Sequence, residues 1–479
     1  MFDLATAAVE GALAAGAAYA DARAQDLRDE RVSVLNGEVE SVTSGTQLGV
    51  GVRALIGSAW GFAATAEPTE SAARAAGAQA AAIARASASV PGPPLELADV
   101  AVTETSWSTP VEEDPLAVPL AEKVDLLVRT TRTMLEEDAV ALARADLAAV
   151  VDERWFVSSQ GHRIHQRITK TGGGSDATAV GEHETQRRSH PQAMGHWETG
   201  GYEVIRRFDL AGNAARIAAE AAALLTAPSC PATVTDVILD SSQVALQIHE
   251  SVGHAIELDR ILGWEAAFAG TSFLDLGQLG SLRYGSELMN ITADATIPGA
   301  LGSFGYDDEG TPAQRVDIVR DGTWVGVLSG RDSAAVAGLA PGGMVRASGY
   351  DRLPMVRMTN VGLLPGEGTL EDIVAETADG ILMSTNRSWS IDDRRLNFQF
   401  GCEIAWEIKD GQRTRMLRNP SYTGITPRFW ASMDRLAGAD ELVAWGTPNC
   451  GKGQPMQVGH TGHPAAPARF RGVRVGVGA

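Results

Sequence analysis

Cysteine is scarce in this chain: Cys230, Cys402 and Cys450 are the 3 thiols among 479 residues. So few thiols make no disulfide framework, and a reducing compartment is expected. A basic surplus is also missing. Lys and Arg number 40 against 60 Asp and Glu, a formal net charge of -20. A nucleic-acid binder carries a basic patch or stripe, and the short cluster Arg469-Phe470-Arg471 is too small to supply one. No apolar run approaches the ~20 residues needed to span a bilayer, so no membrane partner is expected. Met1-Phe2-Asp3 begins no charged and then apolar leader, so a cytoplasmic protein is the expectation. Aromatics are sparse at 6%, while glycine is abundant at 52 residues.

Apolar residues make up 44% of the chain. That is enough for sizeable cores, and domains of ~100–200 residues suggest two of them. Residues 4–25 are Ala-rich with helical spacing and are expected to form a helix. Residues 31–63 switch to a meander of strands. Asn36-Gly37 is a strong hairpin signal, Ser44-Gly45 a second candidate turn, and Ala59–Phe62 a third strand. Helices are expected over 68–88, ended by Pro91, Pro93 and Pro94, and over 116–143 with a break at Pro119. Strands follow over 145–170 with a turn at Gln160-Gly161. Thr171-Gly172-Gly173-Gly174-Ser175 reads as a flexible loop, and 207–226 as one more helix. The domain boundary is placed at 228/229. Beyond it, Val234–Leu239 reads as a strand leading into a helix over 242–258. Leu396–Ile408 alternates strictly, marking a strand with one buried and one wetter face. The fold class expected is α+β: an N-terminal α/β domain over 1–228 and a mainly antiparallel β domain over 229–479.

The residues that carry chemistry are His249-Glu250-Ser251-Val252-Gly253-His254. Zinc favours histidine nitrogen, a catalytic site keeps three protein ligands plus water, and a glutamate beside the first ligand can take a proton from that water. The spacing is awkward. Histidines five residues apart on a regular α-helix point ~140° apart. A widened turn restores their alignment, and Gly253 is the natural place for one because glycine tolerates unusual dihedrals. A distorted helix is therefore predicted. The third ligand is open among Cys230, Cys402, Cys450, His460, His463, Glu257 and Asp259. Cys402 sits on the buried face of the alternating strand and reads as a core thiol, and Cys230 as structural. Cys450 lies in a Gly-flanked loop, Asn449-Cys450-Gly451-Lys452-Gly453-Gln454, where a nearby cation or metal would favour thiolate. His460 and His463 are weaker candidates in what reads as a disordered terminus. Glu257 and Asp259 could orient a metal-bound imidazole through its second nitrogen.

With those two motifs together, the chain resembles the TldD/PmbA family of metallopeptidases, and within it the catalytic TldD branch. The hairpin Asn36–Glu40, the stretch Asp307-Asp308-Glu309-Gly310-Thr311 and the segment Pro354–Asn360 agree. The resemblance implies zinc on His249, His254 and Cys450, with Glu250 as the catalytic base. It implies dimers, often with an inactive PmbA-type homologue, around an enclosed cavity, and unfolded peptides as substrates. An exposed strand edge near Asn360 is a candidate for pairing with an extended peptide. Two rivals remain at this point: a metal-stabilised subunit that binds peptides without cutting them, and an iron oxidoreductase. A Rossmann glycine pattern is missing, which weighs against the latter.

Overall fold

Alanines alternating with polar residues start the first sheet. Helix α1 (Phe2–Ala14) stops well short of residue 25, and β1 (Tyr19–Leu35) follows a turn at Gly16. In β1, Ala20, Ala22 and Ala24 pack towards the helices, while Asp21, Arg23 and Gln25 are buried on the opposite face. The alanines suggested helix, yet their period is two and both faces are covered, so tertiary burial overrides propensity. The computed structural model describes residues 1–90, 92–268 and 270–476.

Asn36 and Gly37 both take positive φ, as a tight hairpin turn requires, and β2 (Glu38–Ile56) returns along β1. It runs unbroken through Ser44-Gly45, with Gly45 opposite Asp29, so the expected second turn is a paired strand. β3 (Ala59–Thr65) follows, then α2 (Glu70–Ser87), capped by Thr69. Pro91 lies outside the described residues. β4 (Glu104–Ser108) precedes α3 (Leu120–Met134), which starts directly after Pro119; of the helix expected over 116–143, residues 135–139 are turns and 140–143 open strand β5 (Val140–Ser158).

Strand β6 (Arg163–Val180) absorbs the triple glycine, which pairs with Asp146–Ala148 and is no loop. The glycines allow close approach: a Cβ on Gly172 would lie 2.2 Å from the Trp197 ring, and one on Gly174 2.5 Å from Gly195. β7 (Thr185–His190) and β8 (His196–Thr199) both pair with β6, completing an eight-stranded sheet. The helix expected over 207–226 is two, α4 (Glu203–Phe208) and α5 (Leu210–Leu224), divided at Asp209 with φ 47°.

The second sheet has seven strands. β9 (Thr233–Leu239) lies between strand Asp379–Ile391, which runs parallel to it, and strand Ala468–Val475, antiparallel. Its core is continuous and rich in rings, among them Phe398, Phe400, Tyr422, Phe429, Trp430 and Phe470. Cys402 and Cys230 are buried, and burial raises both thiols. The alternating strand is Asn397–Lys409. Its wetter face is covered in the middle: Glu403 is only 1% exposed and accepts from Arg188 at 2.9 Å and from the Ser189 hydroxyl at 2.7 Å. The chain is thus α+β, with mainly antiparallel sheets.

Buried ion pairs tie the eight-stranded sheet to the turn at Asp308 and Glu309 in the second half. Asp308 holds Arg23 at 2.8 Å and Arg154 at 2.9 Å, and Arg53 bridges Asp21 at 2.6 Å and Glu309 at 3.1 Å. The Asp307–Thr311 stretch is therefore part of the seam between the halves.

Candidate metal centre

Helix α6 (Ser241–Ile248) begins at Asp240, whose Oδ1 accepts the Gln243 N–H at 2.9 Å. Directly after it, His249–Gly253 form one π-helical turn, closed by the His254 N–H bonding to the His249 carbonyl at 3.3 Å. The extra residue swings His254 back over His249, and the ring centroids stand 4.9 Å apart. Gly253 serves by its size. Its φ is not positive, but a Cβ there would lie 2.1 Å from Met358 Sδ. The widened turn is also braced from the core: Tyr284 donates to the Ser251 carbonyl at 2.6 Å, and Trp430 Nε1 to the Ser251 hydroxyl at 2.9 Å.

Cys450 comes to this turn on a strand, Val443–Lys452, hairpin-paired with Gln457–Ala465; of the expected loop, Asn449–Lys452 are strand and Gly453-Gln454 open the hairpin turn. Its Sγ lies 3.6 Å from His254 Nε2. One ligand atom each from His249, His254 and Cys450 falls within 4.8 Å of the others, and all three residues are buried.

Hydrogen bonds behind the rings fix their tautomers. His463 Nδ1 lies 2.9 Å from the Val361 carbonyl, which can only accept, so His463 Nε2 is an acceptor. His249 Nδ1, 2.7 Å from that nitrogen, must then donate, leaving His249 Nε2 with its lone pair free. His254 Nδ1 meets Glu257 Oε2 at 3.1 Å, leaving its Nε2 facing Cys450. Burial lowers the pKa of His249 and of His254, favouring the neutral, ligating form. Burial alone would raise the Cys450 thiol, but His254 and Arg357 outweigh it and hold it below its ordinary value. Glu257 is also held low: burial pushes it up, and Lys452, His254 and Arg260 more than reverse this.

Asp259 reaches no histidine. It takes Lys452 Nζ at 2.8 Å, and the same ammonium lies 3.3 Å from Glu257. The lysine expected to favour thiolate is thus spent on carboxylates. His460 and His463 belong to strand Gln457–Ala465 rather than a disordered tail. Glu250 is 6% exposed, and Arg395 Nη1 donates to its Oε2 at 2.9 Å. Arg395 is presented from a tight turn with φ 64°, held by Asp392, which accepts the N–H groups of Leu396 and Asn397.

Arg395 and the placement of His463 behind His249 escaped sequence reasoning. No local pattern signals Arg395, since it meets Glu250 from 145 residues away. For His463 no local pattern signals its place either, since it meets His249 from 214 residues away.

Family comparison agrees with this geometry. Profiles described as PmbA/TldA metallopeptidase domain 1, central domain and C-terminal domain match residues 20–84, 113–227 and 232–475. The chain belongs to the PmbA/TldD metallopeptidase family. A Methanocaldococcus jannaschii protein named a metalloprotease is 29% identical over 446 residues, 93% of this chain and 94% of that one. A Saccharolobus solfataricus protein named a zinc metalloprotease TldD homolog is 25% identical, covering 47% of this chain and 48% of its own. The fold is shared with TldE from Thermococcus kodakarensis, with a TM-score of 0.71 at 17% identity over 98% of both chains. For the PmbA/TldD chain described here, two neutral imidazole nitrogens and an acidified thiol make a donor set that suits zinc. No helix among its described residues is long and apolar enough to cross a membrane.

Proposed function

We propose that this chain is a zinc-dependent peptidase acting on unfolded or flexible peptides, with zinc on His249, His254 and Cys450 and Glu250 as general base. The observation that carries this reading is the buried convergence of those three side chains, beside a carboxylate held in place by Arg395. Bound zinc would supply a water of lowered pKa and a Lewis acid for the scissile carbonyl. Glu250 takes the proton from the attacking water and passes it to the leaving amine. Arg395 fixes the Glu250 carboxylate, while His463 and Glu257 hold the two imidazoles by their far nitrogens.

Asn360 offers no edge for the peptide. It is buried, bridges to Gly462, and spends its side chain on Asp294, Gly302 and Ser303. The better candidate is strand Val443–Lys452, whose sheet has only two strands and whose outer edge has no strand partner among the described residues. An extended peptide paired there would pass beside Cys450 with little sequence selectivity. The working units are residues 1–228 and 229–479, and the assembly expected is a cytoplasmic dimer, with a second copy or with an inactive PmbA-type homologue.

A subunit that only holds peptides is the second reading, and the Glu250–Arg395 pair weighs against it, since a structural metal needs no base. Stripping metal with a chelator, restoring zinc, and mapping fragments from a mixed peptide pool by mass spectrometry tests the choice. Cleavage should vanish with the metal and return with zinc. Zinc retention with no cleavage of any peptide would favour the holding subunit.

A further inference from the structure

A small cavity beside the candidate centre is lined by cations. It measures about 80 Å³, and Arg154, Lys170, Arg346 and Arg357 line it together with Asp152 and with His460, whose imidazole burial holds well below its ordinary value and so neutral. It adjoins the centre through the backbone. Gly459, in the same wall, pairs with Cys450 across the hairpin, and Arg357 donates to the Cys450 carbonyl.

The carboxylates close by are already taken. Asp152 accepts from Arg154 at 2.7 Å and from Gln25 at 2.7 Å, and Asp308 from Arg154 and Arg23. Lys170 has no hydrogen-bond or ion-pair partner among the described residues. Three more nitrogens are buried without a partner: Arg346 Nε, Arg357 Nε and His460 Nδ1. Burial lowers Lys170 to about 7, Arg346 and Arg154 adding to it against the pull of Asp152. Burial and then Arg357 lower Arg346 to about 9. Buried polar groups are ordinarily paired, and an unpaired lysine set among three arginines at an open space is the complement of an anion.

We propose that this cavity is a carboxylate-binding subsite of the enzyme, taking either the C-terminal carboxylate or an acidic side chain of the peptide. The inference rests on the peptidase reading for the nature of its ligand. The volume admits a carboxylate and a water or two. Its place across the hairpin from Cys450 puts the captured group close to the bond being cut.

The test uses one peptide sequence in three forms: a C-terminal amide with no acidic residue, the same peptide as a free acid, and the amide with one Asn replaced by Asp. Binding of each to zinc-loaded Glu250→Gln protein is read by fluorescence anisotropy, and cleavage is followed with the unaltered protein. The free acid, the Asp form, or both should bind about tenfold more tightly than the neutral amide. The form preferred says which carboxylate is read, and Lys170→Met should close the gap. Equal binding of all three forms overturns the subsite, as does a preference that survives Lys170→Met. Should that variant fail to fold, the comparison in the parent protein decides alone. Loss of the peptidase reading looks different: none of the three forms is cut, whatever their relative affinity.

Discussion

The two halves of the molecule solve packing differently. The eight-stranded half buries alanines in several separate clusters, two of them built almost wholly from alanine and small aliphatics. The seven-stranded half builds one continuous core around stacked and edge-on rings. The candidate centre lies in the second, where Trp430 and Tyr284 clamp the π turn from behind. A site that must hold three ligands in register sits on the side with the continuous, ring-packed core. The alanine-rich half contributes long strands, a charged seam and part of the wall of the cationic cavity.

Breaking the seam should have the largest effect. Arg53→Met leaves the Asp21 carboxylate buried without its cation, at a cost of about 3–5 kcal/mol, while Glu309, which burial raises to about 8, adds little. Urea melts should show the loss, and hydrogen exchange should show it concentrated in the alanine-rich half. Uniform loosening of both halves would mean that the seam does not divide them. In the ring-rich half, Gly253→Ala forces a methyl towards Met358 and should cost about 1–3 kcal/mol, together with a fall in zinc content. Unchanged zinc content would show that the turn adapts more freely than its packing implies.

Acid should release the Asp308 part of the seam only at low pH. Burial would raise the Asp308 carboxyl, but Arg154 and Arg23 hold it down at about 2. Because the folded value lies below the unfolded one, the contribution is present above pH ~4 and lost as pH falls through ~2, for about 2 kcal/mol. Asp308→Asn should flatten that limb of the stability profile. His463→Ala should have the mildest effect on folding. It frees the His249 ring to turn and should weaken zinc binding by about 10–100-fold, measured by competition with a chelator.

The sequence was most legible where chemistry forces local geometry. A five-residue histidine spacing requires a widened turn, and the π turn at His249–Gly253 is that turn. Asn36-Gly37 likewise dictated its hairpin. The failures share one cause. Alanine at 20, 22 and 24 and glycine at 172, 173 and 174 carry almost no local signal, and burial by distant elements makes both segments strands. Gly253 was chosen for the right place by the wrong property, because Met358 lies far along the chain. Arg395 was invisible for the same reason.

The proposed catalysis depends on Glu250 being a base beside a metal held by His249, His254 and Cys450. Glu250→Gln should bind zinc as the parent protein does, measured by elemental analysis, while peptide cleavage falls by about 10²–10⁴-fold. A zinc-loaded Glu250→Gln protein that cuts peptides at the parent rate would contradict it.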